Sequence, residues 1–378
     1  MRWLFCLSLL GIPVGIQGGD GQDPELASPG EKVLPELFVS VDGERIVEPT
    51  SWSERRLELR EILEFVEYGR MPPRPDRIVI SGHRSLFRPD LDGREERLTL
   101  LIGSQTRIPM RIAVYTPDRP GPHAFLIREE HALGHEEEIP SILSRGYAFV
   151  EFAREDLDPD EADVVGPAQA AYPDHDWATL AVWAWGAMRV VDYLESRSDV
   201  VEAQIGIAGH SRGGKMALLA GAFDPRFSLV IANGSGAGGA GSFKVAGDQA
   251  ETLELITRPD RFGHWFHPRL RTYAGRESQL PFDQHFLKAL VAPRALLCTE
   301  ALEDRWANPL GNYQTHVAAR EVFEFLGVGE RIGLHFREGG HAFTNDDWEA
   351  ALDFADWHWR GLRPDDPKRF WQRPALED

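Results

Sequence analysis

The run Gly209-His210-Ser211-Arg212-Gly213 places a hydroxyl at the centre of a glycine-flanked bend. A serine hydroxyl is a poor nucleophile until a base takes its proton, so the chain must also supply a histidine and an acid to orient it. Gln204-Ile-Gly-Ile-Ala208 ahead of the bend reads as a buried strand, and Gly214-Lys-Met-Ala-Leu-Leu-Ala220 behind it reads as a helix. A G-x-S-x-G pentapeptide between strand and helix exposes its serine at the edge of a sheet. The backbone N–H of the next residue, Arg212, then points to where negative charge develops in acyl transfer, and the helix N-terminus adds favourable potential there.

The base is expected after the last strand and the acid between serine and base in chain order. His341 follows the run Ile332–Phe336 and precedes a final helical pattern, so it is the expected base. His264, His267 and His285 precede the candidate acids, and His335 lies inside a strand. The loop Glu300-Ala-Leu-Glu-Asp-Arg-Trp306 supplies the carboxylates, of which Asp304 is the expected acid and Glu303 the alternative.

The elements that must position these groups alternate along the chain. Residues 77–81, 98–102, 108–115, 124–127, 146–152, 204–208, 227–232, 294–299 and 332–336 read as strands. Residues 52–68, 178–196 and 348–359 read as amphipathic helices. Short apolar strands separated by helices imply a mainly parallel sheet covered on both faces, with the closely spaced first strands forming an antiparallel edge. The expected architecture is therefore an α/β-hydrolase fold, a three-layer sandwich around a mainly parallel central sheet. The irregular segment 236–282 is a candidate cleft wall.

With 42% apolar residues in 378, the chain has enough material for a large core. Its net charge of −19 disfavours nucleic acid and anionic lipid as partners. Residues 1–18 carry one early Arg, a short apolar run broken by Pro13 and small residues, which is the pattern of a signal peptide. Residues 19–32 read as a linker, 33–75 as an N-terminal extension carrying the first helix, and 76–378 as the catalytic domain. A secreted or periplasmic protein is expected, with no membrane attachment beyond export. Removal of the leader, and Cys6 with it, leaves Cys298 in an apolar run, where packing is the expected role. No metal-ligand spacing occurs, and serine hydrolysis needs no cofactor, so none is expected.

Several separated motifs resemble the glucuronoyl esterases of carbohydrate esterase family 15. They are Gly209-His-Ser211-Arg212-Gly-Gly214-Lys215, Trp183-Ala-Trp185-Gly and Ser235-Gly-Ala-Gly-Gly239, followed by Gln279-Leu-Pro-Phe-Asp-Gln-His285, Leu290-Val-Ala-Pro-Arg294 and Trp306. The similarity spans roughly residues 50 to 360. It implies hydrolysis of the ester between 4-O-methyl-D-glucuronic acid of xylan and a lignin alcohol, by a Ser-His-Asp triad and an acyl-enzyme; a monomer is the expected state. It further implies that Arg212 stabilises the oxyanion, and that Lys215, Trp306 and Glu251 contact the sugar. The fungal members place a catalytic glutamate directly before the Ser-Gly-Ala-Gly-Gly run, where this chain has Gly234. Many bacterial members resemble it instead in carrying an acid in the loop before the tryptophan, which fits Asp304. The alternatives are another carbohydrate esterase, such as an acetylxylan esterase, or a catalytically inactive hydrolase homologue that only binds polysaccharide.

Overall fold

The computed structural model describes residues 34–105, 107–134 and 137–372. The expected signal peptide and linker lie outside the described residues. Nine strands form one sheet. They are β1 (Ile78–Arg88), β2 (Gly93–Ile102), β3 (Ile108–Pro117), β4 (His123–Glu130), β5 (Ala148–Ala153), β6 (Val200–His210), β7 (Leu229–Asn233), β8 (Ala295–Ala301) and β9 (Ile332–Arg337). Their order across the sheet is β1-β2-β3-β5-β4-β6-β7-β8-β9. β1, β2, β3 and β5 pair antiparallel in turn, and every pairing from β5 through β4 to β9 is parallel. The sheet is thus mainly parallel with an antiparallel edge, in an α/β-hydrolase arrangement.

Alternation along the central strands assigns their side chains to two layers. Ile127, Val230 and Leu296 pack into one cluster with the helices Thr179–Leu194 and Arg212–Phe223. Their neighbours Leu126, Ile231 and Leu297 pack into a second cluster with the helix Asn345–Arg360. Numbered in chain order, the long helices are α1 (Trp52–Leu63), α2 (Thr179–Leu194), α3 (Arg212–Phe223), α4 (Pro309–Phe325) and α5 (Asn345–Arg360).

Three differences from the sequence reading have physical causes. α2 is buried along its whole length rather than on one face, because the sheet, α3 and the turn at 263–265 all pack against it. Its one internal charge pair, Arg189 Nε to Asp192 Oδ2 at 2.6 Å, is satisfied inside the layer. β1 and β2 are twice as long as their apolar runs, because their outer halves form a ribbon, exposed along β1 and partly buried along β2, held by backbone pairing and by an Arg88–Glu95 ion pair at 2.7 Å. The N-terminal extension packs into the main core, to which Leu37, Trp52, Leu59, Leu63 and Tyr68 belong. The α-helix ends at Leu63 and a π-helical turn carries the chain through Tyr68 to Gly69.

Candidate active site

β6 ends at His210 and α3 begins at Arg212, so Ser211 is the whole of the turn between them. It sits at φ 56° and ψ −119°, a conformation that costs a non-glycine residue about 1–3 kcal/mol. A hydrogen bond from Ser211 N to Asn233 O at 2.9 Å ties the strained residue to β7. The flanking glycines are required by close approach. A Cβ on Gly209 would lie 2.1 Å from Gly213 O, and one on Gly213 would lie 2.0 Å from Glu129 Oε1. The Arg212 N–H opens a twelve-residue helix and has no intrahelical acceptor, which leaves it available to an oxyanion.

His341 lies in the loop between β9 and α5, as its chain position predicts. A residue the sequence reading missed shapes that loop. Arg337 donates to the carbonyls of Glu338 at 2.9 Å, Gly340 at 3.3 Å and Ala342 at 2.6 Å, and its Nε donates to Asp347 Oδ2 at 2.6 Å. Asp347 is fully buried, and the same oxygen accepts from the N–H and hydroxyl of Thr344 in the capping box of α5. One guanidinium therefore fastens the histidine loop to a helix end. No spacing rule points to Arg337; its position at the end of the last strand was the available signal.

His341 Nδ1 meets Asp304 Oδ2 at 2.5 Å. The other oxygen of Asp304 accepts from Ala307 N at 3.3 Å, so both are held, and the residue is 5% exposed. Glu303 points to solvent and has no bond to His341. Ser211 and His341 line the same cavity, with no hydrogen bond joining them. Such contacts often tighten only around substrate.

Two positions converge on the same imidazole nitrogen. A Cβ built on Gly234 would lie 3.5 Å from His341 Nδ1 and 3.6 Å from Asp304 Oδ2. An acid at the end of β7 could thus face the nitrogen that Asp304 faces from the loop after β8.

His210 packs against His341 with ring centroids 4.5 Å apart. Its Nδ1 faces Asn233 Oδ1 at 2.5 Å, and Asn233 Nδ2 in turn donates to Thr299 Oγ1 at 2.7 Å. Burial, against the Asn233 contact and together with the nearby His341, pushes His210 down to about 4, so this ring is neutral beside the candidate base at neutral pH.

Arg212 lines the cavity beside Ser211. Its guanidinium pairs with Asp160 and lies 5.2 Å from the ring centroid of Trp265. Asp160 also accepts from His264 Nε2 at 2.9 Å and Trp265 Nε1 at 2.7 Å. Burial alone would raise this carboxyl, but the His264 and Trp265 bonds and the Arg212 charge outweigh it and hold it well below the usual range. The segment read as a cleft wall thus acts by anchoring the arginine through Asp160.

The residues expected at the sugar lie apart from this cavity. Lys215 is buried, and its ammonium donates to Ser235 O at 2.7 Å, Ala237 O at 2.6 Å and Glu251 Oε2 at 2.7 Å, which uses all three N–H bonds. Glu251 N donates to Trp306 O at 2.9 Å, and Trp306 is 38% exposed. Lys215, Glu251 and Trp306 therefore form one connected group on the β7–β8 side of Ser211, outside the cavity wall.

Beneath Asp304, Glu300 is fully buried and accepts from Asn312, which also takes a hydrogen bond from buried Lys288. Burial first, then the Asp304 charge, pushes Glu300 up to about 8. An unfolded glutamate ionises near ~4.3, so between these values the folded state binds the extra proton. The stability this group contributes is complete below the unfolded value and is lost as pH rises through about 8. Glu300→Gln is therefore expected to gain about 4 kcal/mol at pH 7.5 and about 0.5 kcal/mol at pH 4.5. Urea unfolding at the two values checks this, and equal gains at both would refute it. Cys298 is buried and free, and burial pushes its thiol up to about 11, as suits a packing residue.

Residues 103–327 match the family model described as glucuronyl esterase, fungi. A carbohydrate esterase, MZ0003, from an unknown prokaryotic organism is 30% identical over 87% of this chain and 90% of its own length. The chain belongs to the glucuronoyl esterase family. A 4-O-methyl-glucuronoyl methylesterase of Schizophyllum commune is 29% identical over 85% of this chain and 79% of its own. The solved family 15 glucuronoyl esterase of Caldicellulosiruptor kristjansonii superposes with a TM-score of 0.80 at 32% identity, covering 92% of this chain and 95% of that one. This glucuronoyl esterase family member is a carboxylic ester hydrolase. Among its described residues no helix is long and apolar enough to cross a membrane, and no group of side chains is arranged for a metal ion.

Proposed function

We propose that this protein hydrolyses esters of 4-O-methyl-glucuronic acid, with Ser211 as nucleophile, His341 as base and Asp304 as the acid that orients it. The observation that carries the reading is the 2.5 Å contact between a buried Asp304 and Nδ1 of His341, which shares a cavity wall with a serine on a strained elbow. Ser211 Oγ attacks the uronoyl carbonyl carbon while His341 Nε2 takes its proton. Charge on the carbonyl oxygen is met by the Arg212 N–H and guanidinium, donors of a kind whose removal costs about 3 kcal/mol in other acyl-transfer sites. Collapse of the tetrahedral intermediate breaks the bond to the alcohol oxygen, which leaves with the proton from His341. A water deprotonated by the same imidazole then attacks the acyl-enzyme, and its collapse returns the proton to Ser211 and frees the uronate.

The acyl sugar is proposed to sit on the β7–β8 side, against Trp306 and the Lys215–Glu251 pair. Family resemblance supplies a lignin alcohol on the other side of the ester, and glucuronoxylan as the carrier of the acyl group. The leading residues 1–18 are proposed to export the chain, which then acts as a monomer outside the cytoplasm. The test is release of acid from methyl 4-O-methyl-glucuronate beside release of acetate from acetylated xylan. Turnover of the first in excess of the second is expected. Preference for acetate would move the protein to the acetylxylan type, and failure to turn over either, with no labelling of Ser211 by a fluorophosphonate, would make it a binding protein.

A further inference from the structure

Ser211 stands at the end of β6, between the ends of β4 and β7. The group proposed to meet the sugar lies on the β7–β8 side. A cavity of about 610 Å³ lies on the other side, walled by the ends of β4 and β5 and the loop that follows. Since the ester is cut at Ser211, this cavity faces the alcohol if the sugar occupies the opposite side.

Among the described residues, every side chain of the cavity wall is charged or polar. Arg154 pairs with Glu129, and Arg128 pairs with Glu130 at 2.8 Å. His131 faces Glu155 at 3.1 Å, and Arg212 pairs with Asp160. Glu161 is exposed on the rim with no partner among the described residues. Apart from the imidazoles of His131, His210 and His341, no aromatic or aliphatic side chain of the wall offers a face to a ring. An aryl group entering here would strip water from paired charges, and the wall arginines that could stack on it, Arg154 and Arg212, already face Trp183 and Trp265. A hydroxyl-bearing alcohol would replace that water with bonds to carboxylate and guanidinium groups. The volume lies in the range of sites that enclose a whole small molecule, far larger than a methoxy group needs.

We propose that this cavity is the leaving-group subsite and that it selects hydroxyl-rich alcohols, such as a sugar or a glycerol-like side chain, over apolar aryl alcohols. The proposal rests on the acyl placement given under Proposed function.

The experiment compares kcat/KM for the methyl, glyceryl and benzyl esters of 4-O-methyl-glucuronic acid in the full protein. The methyl ester reports on the acyl reading alone: if it is not cleaved, the proposed function fails whatever the other two do. With the methyl ester cleaved, the glyceryl ester is expected to exceed the benzyl ester by at least about threefold, the value of one net hydrogen bond. A smaller ratio, or preference for benzyl, overturns the proposal. Glu161→Leu is a surface change that breaks no hydrogen bond or ion pair among the described residues, so folding is not at issue. It is expected to lower the glyceryl-to-benzyl ratio by at least about threefold. A smaller drop overturns the assignment of this wall to the alcohol.

Discussion

Replacing Ser211 by alanine is expected to lower kcat/KM on methyl 4-O-methyl-glucuronate by at least about 10⁴-fold, with no loss of folded protein. The attacking oxygen disappears, so no acyl-enzyme forms, and what remains is the pull of the Arg212 N–H and guanidinium on a substrate attacked by water. Stability should hold, because alanine bears the same backbone conformation at φ 56° and the Ser211 hydroxyl makes no structural bond. Ser211→Gly sharpens the test. Glycine relieves the strain of that conformation, worth about 1–3 kcal/mol, and gives back part of it in unfolded-chain entropy. The glycine variant should be as inactive as alanine and more stable by about 1 kcal/mol. Activity within about 100-fold of wild type in either variant would remove Ser211 from the chemistry.

Asp304→Asn is expected to lower kcat by about 10³- to 10⁴-fold, while Glu303→Gln stays within about twofold. The two residues are adjacent in sequence but differ in surroundings. Asp304 is buried, held by Ala307 N through one oxygen and by His341 Nδ1 through the other. An asparagine amide turned toward Nδ1 would stabilise the wrong tautomer and leave the imidazolium without its counter-charge. Glu303 faces water, where removal of one charge changes little. Steady-state kinetics with a melting curve for each variant decides the matter. The reverse ranking would move the acid to Glu303.

Much of the site was legible because its parts follow from chain order. The elbow needs glycines on both sides of the serine, and the base follows the last strand, so Ser211 and His341 could be located by position. The acid could not be chosen among three loop carboxylates by type alone. Burial separates them: Glu300 faces the core, Glu303 faces solvent, and Asp304 faces the imidazole. The supporting residues were illegible for a different reason. Asp160 and Trp265 meet Arg212 across 52 and 53 positions of sequence, and Arg337 works by binding backbone carbonyls, which have no sequence signature. In the fold, the parallel strands announced themselves as apolar runs. The outer halves of β1 and β2 did not, because mostly polar residues there, with only Leu86 and Phe87 adjacent to each other, leave no apolar period to read. Lys215 shows how little a helix position says about where a long side chain goes. A helix lysine ordinarily reaches water, whereas this one points inward to two carbonyls and Glu251.

The imidazole that can be approached from two strand ends has a meaning for descent. A carboxylate is not tied to one address in such an architecture. A carboxylate at the end of β7 would start 3.6 Å from Asp304 Oδ2, so it would take the place of the one after β8 rather than join it, with the histidine where it is. Gly234 and Asp304 record one outcome of that freedom, and a relative with the opposite pair of residues would carry out the same chemistry on the same scaffold.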